Sequence, residues 1–296
     1  MKSQHNFNGV ISALPTPFLN KKVDFKSLSK MVELQLKNGI NGFVVNGTTA
    51  ESPTLSWDEV EKIYACVREV SESRTTIIIG TGSNSTDHTI EATKKAESLG
   101  ADAALVVVPY YNKPPQRGLE AHFSEVAKNT KLPIILYNVP GRTITSMSVE
   151  TILALAKVQN IISIKEASGD LAFDEGLKNG LPSEFIMLSG DDLTYIPFLK
   201  LGGAGIISVM SNVLTAACAR WTALAKESKW AEAEADFGKF KELISLMYIE
   251  ANPIPVKWML YKMGIFASPE MRLPLVTLAN EHHERITVEL KKTEMI

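Results

Sequence analysis

The sequence predicts an α/β fold, a closed (β/α)8 barrel of the TIM type with a helical carboxy-terminal extension. Three observations carry this. Short β-branched runs alternate with amphipathic stretches on a period of roughly 20 to 30 residues, as successive parallel βα units do. The runs are almost continuously apolar, which suits a parallel sheet covered on both faces. There are eight of them, which favours closure over an open doubly wound sheet. The segment after the first run, Ala13-Leu14-Pro15-Thr16-Pro17, is also not the glycine-rich phosphate loop of an open sheet.

The first run, Gly9–Leu14, precedes a helical pattern over Asp24–Asn38 that Asp24 can cap. Gly42–Val45 precedes Trp57–Ser71, where Ser56 with Glu59 three residues on forms a capping box. Thr76–Gly80 pairs with a helix at Ser85–Leu99, and Ala103–Val108 with one at Pro115–Thr130. Pro133–Tyr137 leads to Val149–Lys157, with Ser148 as the starter, and Ile161–Lys165 leads to Asp170–Asn179. Phe185–Ser189, a helix at Leu193–Leu201 and the run Gly205–Val209 complete the barrel. The alternation then stops, and Asn212–Glu227, Trp230–Glu250, Pro253–Met263 and Leu278–Lys292 all read as helix. Residues 1–211 are therefore assigned to the barrel and 212–296 to a helical extension packed on it. Leu214, Trp221, Phe237, Leu243 and Met247 read as packing of that extension. It covers one side of the barrel or serves an oligomer contact, and the pattern does not separate the two.

Composition narrows the function classes. The chain has 296 residues, 45% hydrophobic and 22% charged, the profile of a soluble globular protein. A net charge of −2 without a Lys/Arg block gives no case for nucleic-acid binding. Cys66 and Cys218 are too few for a disulfide framework and form no CxxC pair. The polar amino terminus Met1–Asn8 lacks a signal-peptide core, and no apolar stretch is long enough to span a bilayer, so a cytoplasmic protein is expected.

In such a barrel the chemistry sits at the carboxyl ends of the strands and the loops that follow them. Ile161-Ile162-Ser163-Ile164 ends in Lys165, and Pro133-Ile134-Ile135-Leu136 ends in Tyr137. Desolvation at a strand end favours an uncharged, nucleophilic amine, so a Lys beside a Tyr suggests Schiff-base chemistry with a proton relay. A buried lysine paired with a carboxylate is the bland alternative. Adjacent Glu166 would point to the opposite face of the strand. Thr48 and Thr49, in Asn46-Gly47-Thr48-Thr49-Ala50-Glu51, offer backbone N–H groups to a carboxylate and hydroxyls to a relay. Tyr110 and Tyr111 lie in a proline-bounded loop and serve the site, a subunit contact or both. Arg142, in the loop after Tyr137, offers a bidentate fork to a second carboxylate or is a solvated loop charge. A metal-dependent aldolase is the rival. His5 lies in the amino-terminal tail, His88, His122, His282 and His283 fall on predicted helices, and none shows HxH or HxxxH spacing; no metal site is expected.

Pro109-Tyr110-Tyr111-Asn112-Lys113-Pro114, Leu136-Tyr137-Asn138-Val139-Pro140-Gly141-Arg142-Thr143, Ile164-Lys165-Glu166-Ala167-Ser168-Gly169 and Asn252-Pro253-Ile254-Pro255-Val256-Lys257 occur in that order. Together they resemble the dihydrodipicolinate synthase/N-acetylneuraminate lyase family of lysine-dependent barrels. The resemblance covers almost the whole chain, from Gly9 to Pro274, and is greater to the synthases of the family. It implies that pyruvate condenses with Lys165, its carboxylate held by Thr48 and Thr49, and that the enamine attacks L-aspartate 4-semialdehyde on the route to lysine. Tyr137, Thr48 and Tyr111 would form the relay, with Tyr111 supplied by a neighbouring subunit. Gly190 and Ile207 match pocket positions whose carbonyls face the substrate. The covalent Schiff base makes a cofactor unnecessary, and a homotetramer of two tight dimers is implied. Arg142 suits a semialdehyde carboxylate, whereas the sialic-acid lyases of the family lack it. Another 2-keto-acid aldolase or lyase, such as N-acetylneuraminate lyase, is the alternative; a catalytically silent barrel would be expected to lose Lys165 or Tyr137.

Two positions depart from the family pattern. Ala50 stands where the family has glycine after the two threonines, and a positive φ there would cost on the order of 1 kcal/mol. His88 stands where lysine-inhibited members carry a glutamate, while Asn84 and Tyr110 are retained and Trp57 lies nearby. Without that carboxylate the effector's ammonium loses its partner, so weak or absent feedback inhibition by lysine is expected.

Overall fold

A computed structural model describes residues 7–72 and 75–296; His5 lies outside them. Eight parallel strands close into a barrel. In chain order they are β1 (Gly9–Ala13), β4 (Gly42–Val45), β5 (Thr76–Gly80), β6 (Ala103–Val107), β7 (Ile134–Asn138), β8 (Ile161–Glu166), β9 (Ile186–Ser189) and β10 (Gly205–Ser208). Each spans within a residue or two of the predicted run.

Contacts divide the described chain into two compact units, 7–8 with 76–207 and 9–75 with 208–296. The first holds β5 to β9 and most of β10, with helices α3 (Thr86–Leu99), α4 (Gln116–Lys128), α5 (Pro140–Thr143), α6 (Val149–Leu155), α7 (Leu171–Lys178) and α8 (Tyr195–Lys200). Its strands are buried except at Val107, Ile162 and Ile186, which are half-buried, and Ile77, Ile78 and Ile79 of β5 are all 0% exposed. Each such side chain contributes roughly 1.5–3 kcal/mol through burial, which is why the runs carry no polar alternation. The ladder from β5 to β9 is in continuous parallel register, with one shift between Ile134 and Ile135. That register sets Tyr137 beside Lys165 and Asn138 beside Glu166.

The second unit holds β1 paired with β4, and helices α1 (Phe25–Lys37), α2 (Trp57–Ser71), α9 (Thr215–Lys226), α10 (Trp230–Leu246), α11 (Ile254–Lys262) and α12 (Asn280–Lys292). The predicted caps form: Asp24 accepts from the Ser27 N–H, and Ser56 and Glu59 make both halves of a capping box. The extension is tied to β1 through Asn212, whose side chain reaches the Ser12 hydroxyl and the Ala13 carbonyl. The apolar faces of α9 and α10 meet edge to face at Trp221 and Phe237, ring centroids 5.0 Å apart.

Two small elements escaped the sequence reading. Strands β2 (Phe18–Leu19) and β3 (Lys22–Val23) form a hairpin across Asn20 and Lys21, both at positive φ (52° and 64°). The turn twists as a primed turn does, although the usual glycine is missing. Pro140–Thr143, read as loop, is the short helix α5, with proline in its first turn where the missing N–H costs nothing.

Candidate active site

Lys165 and Tyr137 are each 6% exposed. The Lys165 Nζ lies 4.3 Å from the centroid of the Tyr137 ring. Among the described residues it makes no hydrogen bond or ion pair. The buried amine therefore rests on a π face, while its nitrogen keeps its donor capacity for a ligand.

Glu166 turns to the other face of β8, as the strand period requires. There its carboxylate accepts from the Asn138 amide (3.0 Å) and the Ser168 N–H (2.5 Å). Burial pushes its pKa up. Asp174 of α7, 2% exposed, is raised to about 7, chiefly by burial and then by the charges of Glu166, Asp170 and Asp191. The sequence reading had given this acidic face no attention; its only signal was an Asp on the buried side of a helix.

Gly190 follows β9 and crowds the lysine: a Cβ built on it would stand 2.8 Å from Lys165 Cε and 2.6 Å from Ala167 Cβ. Ile207, in β10, is buried. Arg142 is exposed on α5, where the Thr143 hydroxyl reaches the carbonyls of Val139 (3.0 Å) and Thr145 (2.7 Å). Tyr111 is 87% exposed at φ 74°, and the following Asn112 amide donates to the Asn84 carbonyl (2.8 Å). Tyr110 is exposed, Asn84 half-buried, and His88 exposed in the first turn of α3.

In the other unit, Thr48–Ala50 form one 3-10 turn after β4. Thr49 is buried and its hydroxyl accepts from the Asn252 amide at 3.0 Å. The strain considered for Ala50 does not arise: the left-handed residue is the next one, Glu51, at φ 58°. The Glu51 carboxylate is fully buried. It accepts from Lys257 Nζ at 2.6 Å and from the Arg272 N–H at 2.9 Å. Lys257 stands in one of the motifs named from the sequence but was given no role, and Arg272 was not singled out; the legible signal was a lysine in the apolar helix Ile254–Lys262. Trp57 opens α2 in this unit.

Among the described residues no group of three or more His, Cys, Asp or Glu side chains is arranged to hold a metal ion. His122 is buried, its Nδ1 3.0 Å from the Thr86 hydroxyl, and burial lowers its pKa to about 4. Neither Cys66 nor Cys218 is in a disulfide among the described residues. No described helix is long and apolar enough to cross a membrane.

An amine buried at the carboxyl end of a strand, under a phenol ring from the next strand of a parallel eight-stranded barrel, defines a class: the lysine-dependent barrel enzymes of aldolase type. Comparison with known proteins gives the particular family. Residues 6–293 match the model of the dihydrodipicolinate synthetase family. The 4-hydroxy-tetrahydrodipicolinate synthase of Bdellovibrio bacteriovorus is 51% identical over 98% of this chain and 99% of its own, and that of Magnetococcus marinus 41% over 98% and 99%. A chloride-inhibited dihydrodipicolinate synthase from Acinetobacter baumannii, solved with pyruvate, superposes with a TM-score of 0.96 at 42% identity, covering 98% of this chain and 100% of that one. The chain belongs to the dihydrodipicolinate synthetase family, and it is an enzyme, a lyase.

Proposed function

We propose that the chain performs the 4-hydroxy-tetrahydrodipicolinate synthase reaction, condensing pyruvate with L-aspartate 4-semialdehyde on Lys165 and feeding lysine and diaminopimelate biosynthesis. The observation that carries this reading is the buried Lys165 amine, 4.3 Å from the Tyr137 ring centroid and without an ion pair among the described residues. Lys165 attacks the pyruvate carbonyl, and water leaves as the imine forms. Loss of a methyl proton gives the enamine, whose carbon attacks the semialdehyde aldehyde and leaves a hydroxyl. The amine of the second substrate then displaces Lys165 by transimination, closing the ring and freeing the lysine.

We assign the proton relay to Tyr137, Thr48 and Tyr111, with Tyr111 coming from a second copy; its 87% exposure supports that origin. The Thr48–Thr49 backbone would hold the pyruvate carboxylate, Arg142 the semialdehyde carboxylate, and the carbonyls of Gly190 and Ile207 would line the pocket. No cofactor enters this scheme, because the covalent imine itself is the electron sink. We further propose a cytoplasmic homotetramer built as a dimer of dimers, and weak or absent inhibition by lysine, because His88 stands where inhibited members offer a carboxylate.

Borohydride trapping with pyruvate, read by intact mass, tests the core: an unmodified Lys165 would remove the mechanism. A coupled assay with aspartate semialdehyde against N-acetylneuraminate tests the substrate. Arg142→Ala should abolish most turnover of the semialdehyde while leaving pyruvate trapping intact; equal loss of both would remove Arg142 from the second-substrate site.

A further inference from the structure

We propose that Lys257, through its buried ion pair with Glu51, is a positioning residue that fixes the turn Gly47–Ala50 and so sets how well the keto-acid carboxylate is held. This rests on the assignment of that carboxylate to the Thr48–Thr49 backbone.

The turn is pinned at its centre and at its end by one stretch of chain. At its centre the Thr49 hydroxyl accepts from the Asn252 amide (3.0 Å). At its end Glu51 accepts from Lys257 Nζ (2.6 Å), both side chains being 0% exposed. Asn252 and Lys257 are rigidly related, since the Lys257 N–H donates to the carbonyl of Pro253, which caps α11. Glu51 is itself held in a left-handed conformation that a residue with a Cβ adopts at a cost. Its N–H donates to the Thr48 carbonyl (3.1 Å), so any swing of Glu51 turns the Thr48 peptide.

The pair is buttressed on its far side. Lys257 Nζ and the Arg272 guanidinium both lie 4.3 Å from the Phe18 ring centroid, and the Arg272 N–H takes the second Glu51 oxygen. Arg272 is in turn anchored to both Glu59 oxygens, at 2.9 and 2.6 Å. Burying an ammonium is unfavourable, and burial lowers the Lys257 pKa to about 8 despite Glu51. An ion pair kept dry at such cost is poor stability engineering, because apolar replacements of similar volume usually do as well. What the pair supplies that packing would not is a fixed direction for the Glu51 side chain, and through it for the peptide N–H groups of the turn. Backbone donors must be aimed in advance to hold an anion well.

The experiment compares borohydride trapping on Lys165 of pyruvate and of acetone, a methyl ketone without a carboxylate, in Lys257→Met, Glu51→Gln, the double variant and Thr49→Val. Thermal midpoints show which variants are folded. The expected result is that Lys257→Met raises the pyruvate concentration for half-maximal trapping by roughly tenfold or more, as ångström-scale misplacement does, and leaves acetone trapping within twofold. The double variant, with no charge left unpaired, should recover the thermal midpoint without recovering the pyruvate preference. A purely structural role predicts that both recover together, and that outcome would overturn the proposal. If Thr49→Val lowers the pyruvate preference but Lys257→Met does not, the carboxylate assignment stands and the positioning role falls. If neither variant changes the preference, the carboxylate assignment falls with it.

Discussion

Gly190→Ala tests the position of the candidate nucleophile, Lys165. The added Cβ would stand 2.6 Å from Ala167 Cβ, 2.8 Å from Lys165 Cε and 3.0 Å from Lys165 Cγ. Ordinary carbon contacts lie near 3.5–4.0 Å, so something must yield by about 0.7 Å. Ala167 Cβ is fixed to the backbone, and the Gly190 N–H is tied to the Glu166 carbonyl at 2.5 Å. The Lys165 stem, with its free torsions, is the softest partner. Overpacking of this kind costs roughly 1–3 kcal/mol of stability, which a barrel of this size survives. A displaced amine, however, leaves the near-attack geometry, and a shift of this order costs up to ~100-fold in rate, or about 2.7 kcal/mol of barrel-imposed orientation. The assay is the time course of borohydride trapping at saturating pyruvate, read by intact mass beside a thermal melt. A folded variant that traps pyruvate at the parent rate would refute the reasoning, because the crowded stem would then not govern the nucleophile's position.

Three further outcomes are expected. Asp174, raised from 3.8 to about 7, holds its proton in the folded state where the unfolded chain has released it. The native state then binds the extra proton, so this group's stabilisation is complete below about pH 4 and lost as pH rises towards 7. Asp174→Asn stays neutral throughout, so its melting temperature should gain on the parent's as pH rises from 5 to 8; a constant difference would refute the protonated acid. Lysine should leave steady-state turnover unchanged at sub-millimolar concentration, and half-inhibition in that range would restore the effector site despite His88. Ala50→Gly should destabilise by about 0.5–1 kcal/mol through backbone entropy without improving pyruvate affinity, since Ala50 is not at positive φ; a gain in stability would reverse the conformational reading of the turn.

The fold was legible because its physics is local. The barrel strands are runs buried over most of their length on both faces, so β-branched apolar stretches such as Thr76–Gly80 announce themselves without tertiary knowledge. Helix starts were equally readable, because Ser56 with Glu59 and Ser148 meet donors within the same turn. The hairpin at Asn20-Lys21 was not, since two positive φ values without a glycine leave no compositional mark. Lys165 and Tyr137 could be paired from sequence because each ends an apolar run, and parallel register then sets them side by side.

The contacts of the turn after β4 were hidden because their partners lie far apart along the chain. Glu51 meets Lys257 and Arg272, and Thr49 meets Asn252, across some 200 residues; no window of sequence contains both members of either pair. What the sequence does hold is each member's anomaly considered alone: a glutamate after a threonine turn, and a lysine in the apolar stretch Ile254-Pro255-Val256-Lys257-Trp258-Met259-Leu260. Lys165 shows the same anomaly, a charge where the pattern demands an apolar residue, yet the structure gives the two lysines opposite surroundings. Lys257 is neutralised by Glu51 at 2.6 Å, whereas Lys165 faces the π surface of Tyr137 and has no ion pair among the described residues. A buried lysine with a carboxylate partner holds structure in place, and one without such a partner is available to react. That difference, invisible in the pattern that flagged both residues, is what separates the two buried lysines.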